Sequence, residues 1–319
     1  MKAITTPLTL ISLLADGEFH SGEQFGEALG MSRAAINKHI QTLREWGIDV
    51  FTVPGKGYRL NAPLNLLDEK KILPHLPGKH IAVIPVIDST NQYLVERIGS
   101  LASGDACVAE YQSQGRGRRG RQWISPFGAN LYLSIYWRLE QGPAAAIGLS
   151  LVIGIVMAEV LQSLGARDVR VKWPNDLYLN DRKLAGILVE ISGKAGDSAH
   201  LVMGIGINLT MSESANQKIN QGWINLQQAG IAIDRNILAA TLVNRLRDAL
   251  PQFESEGFAP FQKRWKVLDN YYNRPVKLLI GEREIHGIAR GIDAQGALLL
   301  EQDKEVKPYL GGEISLRGR

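Results

Sequence analysis

Between Leu8 and Trp46 the apolar residues recur at helical spacing, broken by short polar interruptions. Leu8, Leu10, Ile11, Leu13 and Leu14 predict a first helix, ended by Asp16-Gly17. Ser21 can cap a second helix carrying Phe25 and Leu29, which Gly30 stops. Ser32 can cap a third, with Ala35, Ile36, Ile40 and Leu43 on one face and Arg33, Asn37, Lys38 and Gln41 on the others; Gly47 ends it. The period then changes from helical to alternating. Residues 50–60, VFTVPGKGYRL, read as a hairpin turning at Pro54-Gly55-Lys56-Gly57, and Asn61-Ala62-Pro63 opens a linker.

From about Ile81 to Leu268 strands and helices mix. IAVIPVI, ACVAEY, NLYLSIYW, VRVKWP, DLYL, KLAGILVEI and HLVMGIGINL predict strands, against helices at 147–164 and near Arg235–Glu256. Strands outnumber the helices between them, so a mixed or largely antiparallel sheet is expected rather than a doubly wound parallel one. From about Asn273, RPVKLLIG, EIHGIARGI and GALLLEQ predict short strands of a small all-β unit. No internal repeat is evident.

Length and composition sharpen this. A chain of 319 residues, 45% hydrophobic and 21% charged, implies two or three globular domains. The longest apolar run, Ala144 to Val160, contains Gly148, Gly154 and Glu159 and reads as a buried helix, not a membrane span. The first residues lack a small-residue cleavage site, so no membrane partner and a cytoplasmic setting are expected. The single cysteine, Cys107, excludes an internal disulfide framework, and six scattered histidines make zinc chemistry a poor fit. Charge is uneven: residues 1–30 hold one base against four acids, residues 31–60 five bases against two acids, and residues 116–121 four arginines with no acid.

The first basic region follows the order of a winged helix-turn-helix. Its second helix would present Ser32, Arg33, Asn37 and Lys38 to the major groove, and Lys56 and Arg59 in the wing would meet phosphates. A solvated basic face or a protein-interaction module is the bland alternative. The second basic region is Gly115-Arg116-Gly117-Arg118-Arg119-Gly120-Arg121-Gln122-Trp123. Glycines among arginines build a loop, and four like charges in six residues repel unless a polyanion sits among them. A disordered basic patch is the alternative, but the segment lies between two strands. Three further segments look chemical. Val171-Lys172-Trp173-Pro174-Asn175-Asp176 offers a lysine for phosphate and oxygen ligands for magnesium, or is merely a turn. In residues 182–190, RKLAGILVE, Lys183 pairs with an anion if it points inward and is a solvated strand start if it does not. Gly204-Ile205-Gly206-Ile207-Asn208 implies close approach of a ligand or another backbone, or simply packing.

Asp88-Ser89-Thr90-Asn91, the GRGRRGRQW loop, KWPND, RKLAGILVE and GIGIN, in this order and spacing, resemble the motif set of biotin protein ligases, in the form that also carries a repressor domain. The resemblance implies a winged helix over 1–62, a central mixed-sheet domain similar to class II aminoacyl-tRNA synthetases over 63–270, and an SH3-like barrel over 271–319. It places Ser89, Thr90, Asn91, Gln112, Gly115, Arg116, Arg118, Lys183 and Gly186 around biotin. ATP would meet Arg118, Arg119, Arg121, Trp123, Lys172, Asn175 and Asn208, with Asp176 near Mg2+. Lys183, Arg116, Arg118 and Asp176 would carry the catalysis. The implied partners are a biotin carboxyl carrier protein of acetyl-CoA carboxylase, operator DNA, and a second copy of the chain once the adenylate is bound. Two rival readings stand beside this one. Lipoate ligases share the central fold but carry consecutive glycines where this chain alternates glycine with arginine. A pure transcription factor would need a ligand pocket but not Lys172, Asn175 and Asp176 beside a polyanion-binding loop.

Overall fold

The computed structural model describes residues 2–61, 63–76, 80–194, 196–212, 219, 222–310 and 314–318. Three helices open the chain: α1 (Lys2–Leu14), α2 (Gly22–Leu29) and α3 (Arg33–Glu45). Helix α1 begins before the Leu8 periodicity and contains Pro7. The Ser21 hydroxyl accepts from Gln24 N while the Gln24 side chain accepts from Ser21 N, a reciprocal cap. Ser32 Oγ accepts from Ala35 N at 3.3 Å and caps α3. Leu10, Ile11, Leu14, Phe25, Ile36, Ile40 and Leu43 close a core, and the hairpin β1 (Val50–Val53) and β2 (Gly57–Leu60) adds Val50, Tyr58 and Leu60. Ala62 of the expected linker lies outside the described residues.

The central elements follow: α4 (Glu69–Ile72), β3 (Ile81–Ile87), α5 (Thr90–Val95), β4 (Ala106–Gln112), β5 (Asn130–Leu139), α6 (Leu149–Ser163), β6 (Arg170–Lys172), β7 (Asp176–Leu179), β8 (Arg182–Ser192), β9 (Ala199–Asn208), α7 (Arg235–Glu256) and α8 (Gln262–Leu268). The strands form one mixed sheet of seven in the order β3-β4-β5-β9-β8-β7-β6. Among the described residues, β3–β4 is the only parallel strand pair of this sheet. Alternation sorts its two faces. Leu131, Leu133 and Ile135 of β5 and Leu201, Met203, Ile205 and Ile207 of β9 join the core with α6 and α7. Helix α6 is apolar nearly all round because sheet and helices enclose it. With the turn before it, Pro143–Ser163 has the length and composition to cross a bilayer, but here it is a core helix. The opposite face presents Ser134, Gly204 and Gly206, and that is where the site forms.

Five antiparallel strands end the chain: β10 (Pro275–Ile280), β11 (Arg283–Ile292), β12 (Leu298–Gln302), β13 (Glu305–Tyr309) and β14 (Ile314–Gly318), in the order β13-β12-β11-β10-β14. This unit is pinned to the central sheet. Trp173 Nε1 donates to Gly296 O at 3.0 Å, Asn270 N to Val171 O at 2.9 Å, and Arg274 holds Asp181 at 2.7 Å.

Two further junctions matter. Residues 65–68 are fastened by side chains far along the chain. Asn65 Nδ2 donates to Asp234, Asn236 Nδ2 to Leu66 O, Leu67 N to Glu110, and Asp68 N to Asn236 Oδ1. At the end of α3, the Trp46 ring stacks on Tyr111 and Phe127 with centroids 5.8 and 5.7 Å apart. Phe127 N donates to Trp46 O at 2.8 Å. Gly47 has φ 82° and lies so close that a Cβ would stand 2.7 Å from Pro126 Cβ, which glycine alone accommodates.

Candidate active site

The site lies on the face of the sheet that presents Ser134, Gly204 and Gly206, roofed by the arginine loop between β4 and β5. The Ser89 hydroxyl caps α5, accepting from Gln92 N at 3.4 Å, and so brings Thr90 and Asn91 to the sheet. Gln112, at the end of β4, accepts from Thr90 N and Oγ1 at 2.9 and 3.1 Å and donates to Ser125 Oγ at 3.0 Å. Beneath them the fully buried Ser134 hydroxyl sits 2.7 Å from Thr90 Oγ1 and 2.6 Å from Asn91 Oδ1. Gly204 makes room for that asparagine, since a Cβ there would lie 2.4 Å from Asn91 Oδ1.

Cations arrive from three directions. Arg118 of the loop donates to Asn175 Oδ1 at 2.8 Å, and Asn175 Nδ2 donates to Ile187 O at 2.8 Å. Burial, foremost, makes the Arg118 cation less favourable; Asp176 opposes that shift, while Arg119 and Arg121 reinforce it. Lys183, from β8, is turned inward and ion-paired with Asp176 at 2.8 Å, with both side chains largely buried. Lys172 is buried and donates to Tyr178 OH at 2.8 Å, its ammonium 4.6 Å from the same ring's centroid. Arg116 pairs with Glu190 at 3.0 Å. Trp123 lies flat on the floor: a Cβ at Gly206 would be 2.4 Å from its Cε2, and one at Gly186 3.1 Å from its Cζ3.

One concave space is lined by Ser89, Thr90, Asn91, Gln112, Arg116, Arg118, Arg119, Arg121, Trp123, Lys172, Asn175, Asp176, Lys183 and Gly186. Two of the expected residues are outside that lining. Gly115 forms the loop base, where a Cβ would meet Trp123 O at 2.4 Å. Asn208 is buried at the end of β9 and donates to Ile224 O at 3.3 Å. Of the stretch 211–220, to which the sequence motifs assign nothing, residues 213–218 and 220 lie outside the described residues. Ser134, Ser125, Tyr178 and Glu190 carried no signal as site residues, because each acts only through a neighbour that folding brings to it. The basic residues of the N-terminal domain lie elsewhere. Ser32, Arg33, Asn37 and Lys38 are exposed along α3, and Lys56 and Arg59 pack over the Phe19 ring at 5.8 and 4.8 Å.

Family models match three segments: an HTH domain over residues 8–59, the biotin/lipoate A/B protein ligase family over 83–208, and the biotin protein ligase C-terminal domain over 271–317. Over 317 residues the chain is 72% identical to the bifunctional ligase/repressor BirA of Salmonella typhimurium, covering 99% of each protein. It belongs to the biotin protein ligase family. This ligase is also 30% identical over 311 residues to the BirA of Bacillus subtilis, covering 95% of each. The solved Aquifex aeolicus biotin protein ligase, in complex with biotin and ATP, superposes with TM-score 0.66 at 31% identity, over 76% of this chain and 100% of that one. The family model spans lipoate enzymes too, but the C-terminal model and the Aquifex aeolicus structure are of biotin protein ligases. The chain is therefore an enzyme joined to a DNA-binding fold, the arrangement of the bifunctional ligase/repressors, and the lipoate and repressor-only readings fall away.

Proposed function

We propose that this biotin protein ligase joins biotin to ATP as biotinyl-5′-AMP and then passes biotin to one lysine of a biotin carboxyl carrier protein, in the cytoplasm. The observation that carries the reading is the convergence of Lys183, Lys172, Arg118 and Arg116 from separate elements on one pocket. In the first step a biotin carboxylate oxygen bonds to the α-phosphorus, the bond to the β-phosphate bridging oxygen breaks, and pyrophosphate leaves. Two anions must meet, so the barrier is chiefly electrostatic. Lys183 and Arg116 would neutralise the carboxylate, and Arg118 and Lys172 the phosphates, each held in place beforehand. In the second step the neutral acceptor amine nitrogen bonds to the acyl carbon and gives up one proton to solvent, the acyl–oxygen bond breaks, and AMP leaves. The loop over the site would keep water from the anhydride.

Mg2+ fits this donor set in one limited way. No cluster of three or more His, Cys, Asp or Glu side chains occurs among the described residues, but Asp176 lines the pocket. Magnesium commonly takes one or two carboxylates together with substrate phosphates, so Asp176 would hold it. Once bound, the ion would screen phosphate charge. Lys183, tied to Asp176 at 2.8 Å, would then be free to face substrate anions.

In the same proposal the adenylate-bound chain pairs with a second copy and represses biotin synthesis genes at operator DNA. The outer edge of Leu188–Ser192 supports that pairing: β7 ends beside Gly186, and no strand flanks this half of β8 among the described residues. Ile191 stands there half exposed. Exposed Arg33, Asn37 and Lys38 on α3 and Lys56 in the wing support groove and phosphate contacts.

The deciding experiment is mass spectrometry of a carrier domain incubated with the protein, ATP, Mg2+ and biotin, with lipoate in parallel. A biotin-sized gain at one lysine, absent without ATP, is expected. Lys183→Ala should keep the fold yet lose adenylate synthesis by at least about 100-fold. Near-normal synthesis by that variant would refute the role given to Lys183.

A further inference from the structure

The roofing loop is tied to the sheet through an acid that does not line the pocket. Glu190 lies on β8, and its Oε2 accepts from Asn91 Nδ2 at 2.7 Å and from Arg116 Nη2 at 3.0 Å. The same guanidinium nitrogen donates to Gln92 Oε1 at 3.3 Å. The Asn91 carboxamide is fully committed to protein, with Oδ1 at the Ser134 hydroxyl and Nδ2 shared between Glu190 and Leu188 O. Burial at 4% exposure fixes that amide, so it presents Glu190 with a stationary donor. Ser134 in turn meets Thr90, and Thr90 meets Gln112. Gln112 donates to Ser125, at the far end of the loop. Both ends of the loop are therefore fastened to one polar network, and the attachment at the Arg116 end is an ion pair.

An exposed arginine–glutamate pair on a flexible loop would contribute little. This one differs because the acceptor oxygen is already oriented by a buried amide. Its side chains are 41% and 32% exposed, so solvent screens the attachment only in part.

We propose that Glu190 is a positioning residue which, through Arg116, holds the arginine loop closed and so sets how long the bound adenylate is retained. This rests on the adenylate chemistry proposed above. Glu190 touches neither substrate in this account; it determines where Arg116 stands when the ligand is present.

The test is the dissociation rate of preformed labelled biotinyl-5′-AMP, chased with unlabelled adenylate at protein concentrations where sedimentation shows a monomer. Synthesis is measured separately in single turnover. Glu190→Ala should release the adenylate about tenfold faster, with a smaller change in synthesis rate. Glu190→Gln, which keeps the shape and an acceptor for Asn91 but loses the charge, should fall between, at about threefold. It also carries the test if the alanine variant folds poorly. Combined with Arg116→Ala, Glu190→Ala should add nothing further, because both remove one attachment. Release within twofold of the unmodified protein in both variants, or effects that multiply in the double variant, would overturn the proposal. Failure of the unmodified protein to form any adenylate is a separate result, and would remove the function reading together with this one.

Discussion

Cys107 lies in β4 with no exposed surface, and burial pushes its thiol from 9.0 up to about 12. A raised thiol pKa means the folded state favours the protonated form. Stability from this group is complete below about pH 9 and drains as the pH climbs toward about 12. A thiol-reactive chromogen at pH 8 should find no thiol in the native protein and one after unfolding in urea; native reaction at the rate of a free thiol would contradict the burial. At this scale the sequence reads best where chemistry is intrinsic to the residue. The inertness of Cys107 is legible because it needs no partner. Gly204 and Gly206 are alike in the chain, yet one accommodates Asn91 and the other Trp123, and only the fold distinguishes them. Glu190 was unreadable for the same reason: its partner Arg116 lies 74 positions away.

Among the elements, the long apolar strands and helices α6 and α7 were legible from their runs. The short helices α4, α5 and α8, of 4, 6 and 7 residues, were not, because so few turns establish no period. Strand β13 was missed because it is an exposed edge whose sides show no contrast. The linker's fastening was equally hidden, since its contacts reach across to α7. Its centre is the buried pair of Glu110 and Arg235, 2.7 Å apart and each 4% exposed. Arg235 also donates to Asn65 O at 2.9 Å and Asn130 O at 2.8 Å. Glu110→Gln would leave a buried guanidinium without its counter-charge. Urea unfolding should show a loss of about 3–5 kcal/mol. A loss under about 1 kcal/mol would show that the pair is not an anchor.

Across the whole molecule, the HTH domain and the arginine loop share a seam. Tyr111 and Phe127 flank the loop in sequence, and both stack on Trp46 at the end of α3. Trp46→Ala should therefore weaken the seam by about 3 kcal/mol or more and also loosen the loop, raising the KM for biotin. A variant less stable but unchanged in KM would confine the seam to folding. Sequence patterning delivered the three-part plan because each part has its own period, but it could not show this seam, which is made of residues from two parts.

The open half of β8 has a consequence in time. Successive residues of a strand point to opposite faces while their amides point sideways. Glu190 thus reaches toward the loop from the half of β8 whose outward edge carries no strand among the described residues. A strand laid along that edge would damp the fluctuations of the backbone that carries the loop's fastening. A chain paired along that edge would open its loop more slowly than an unpaired one.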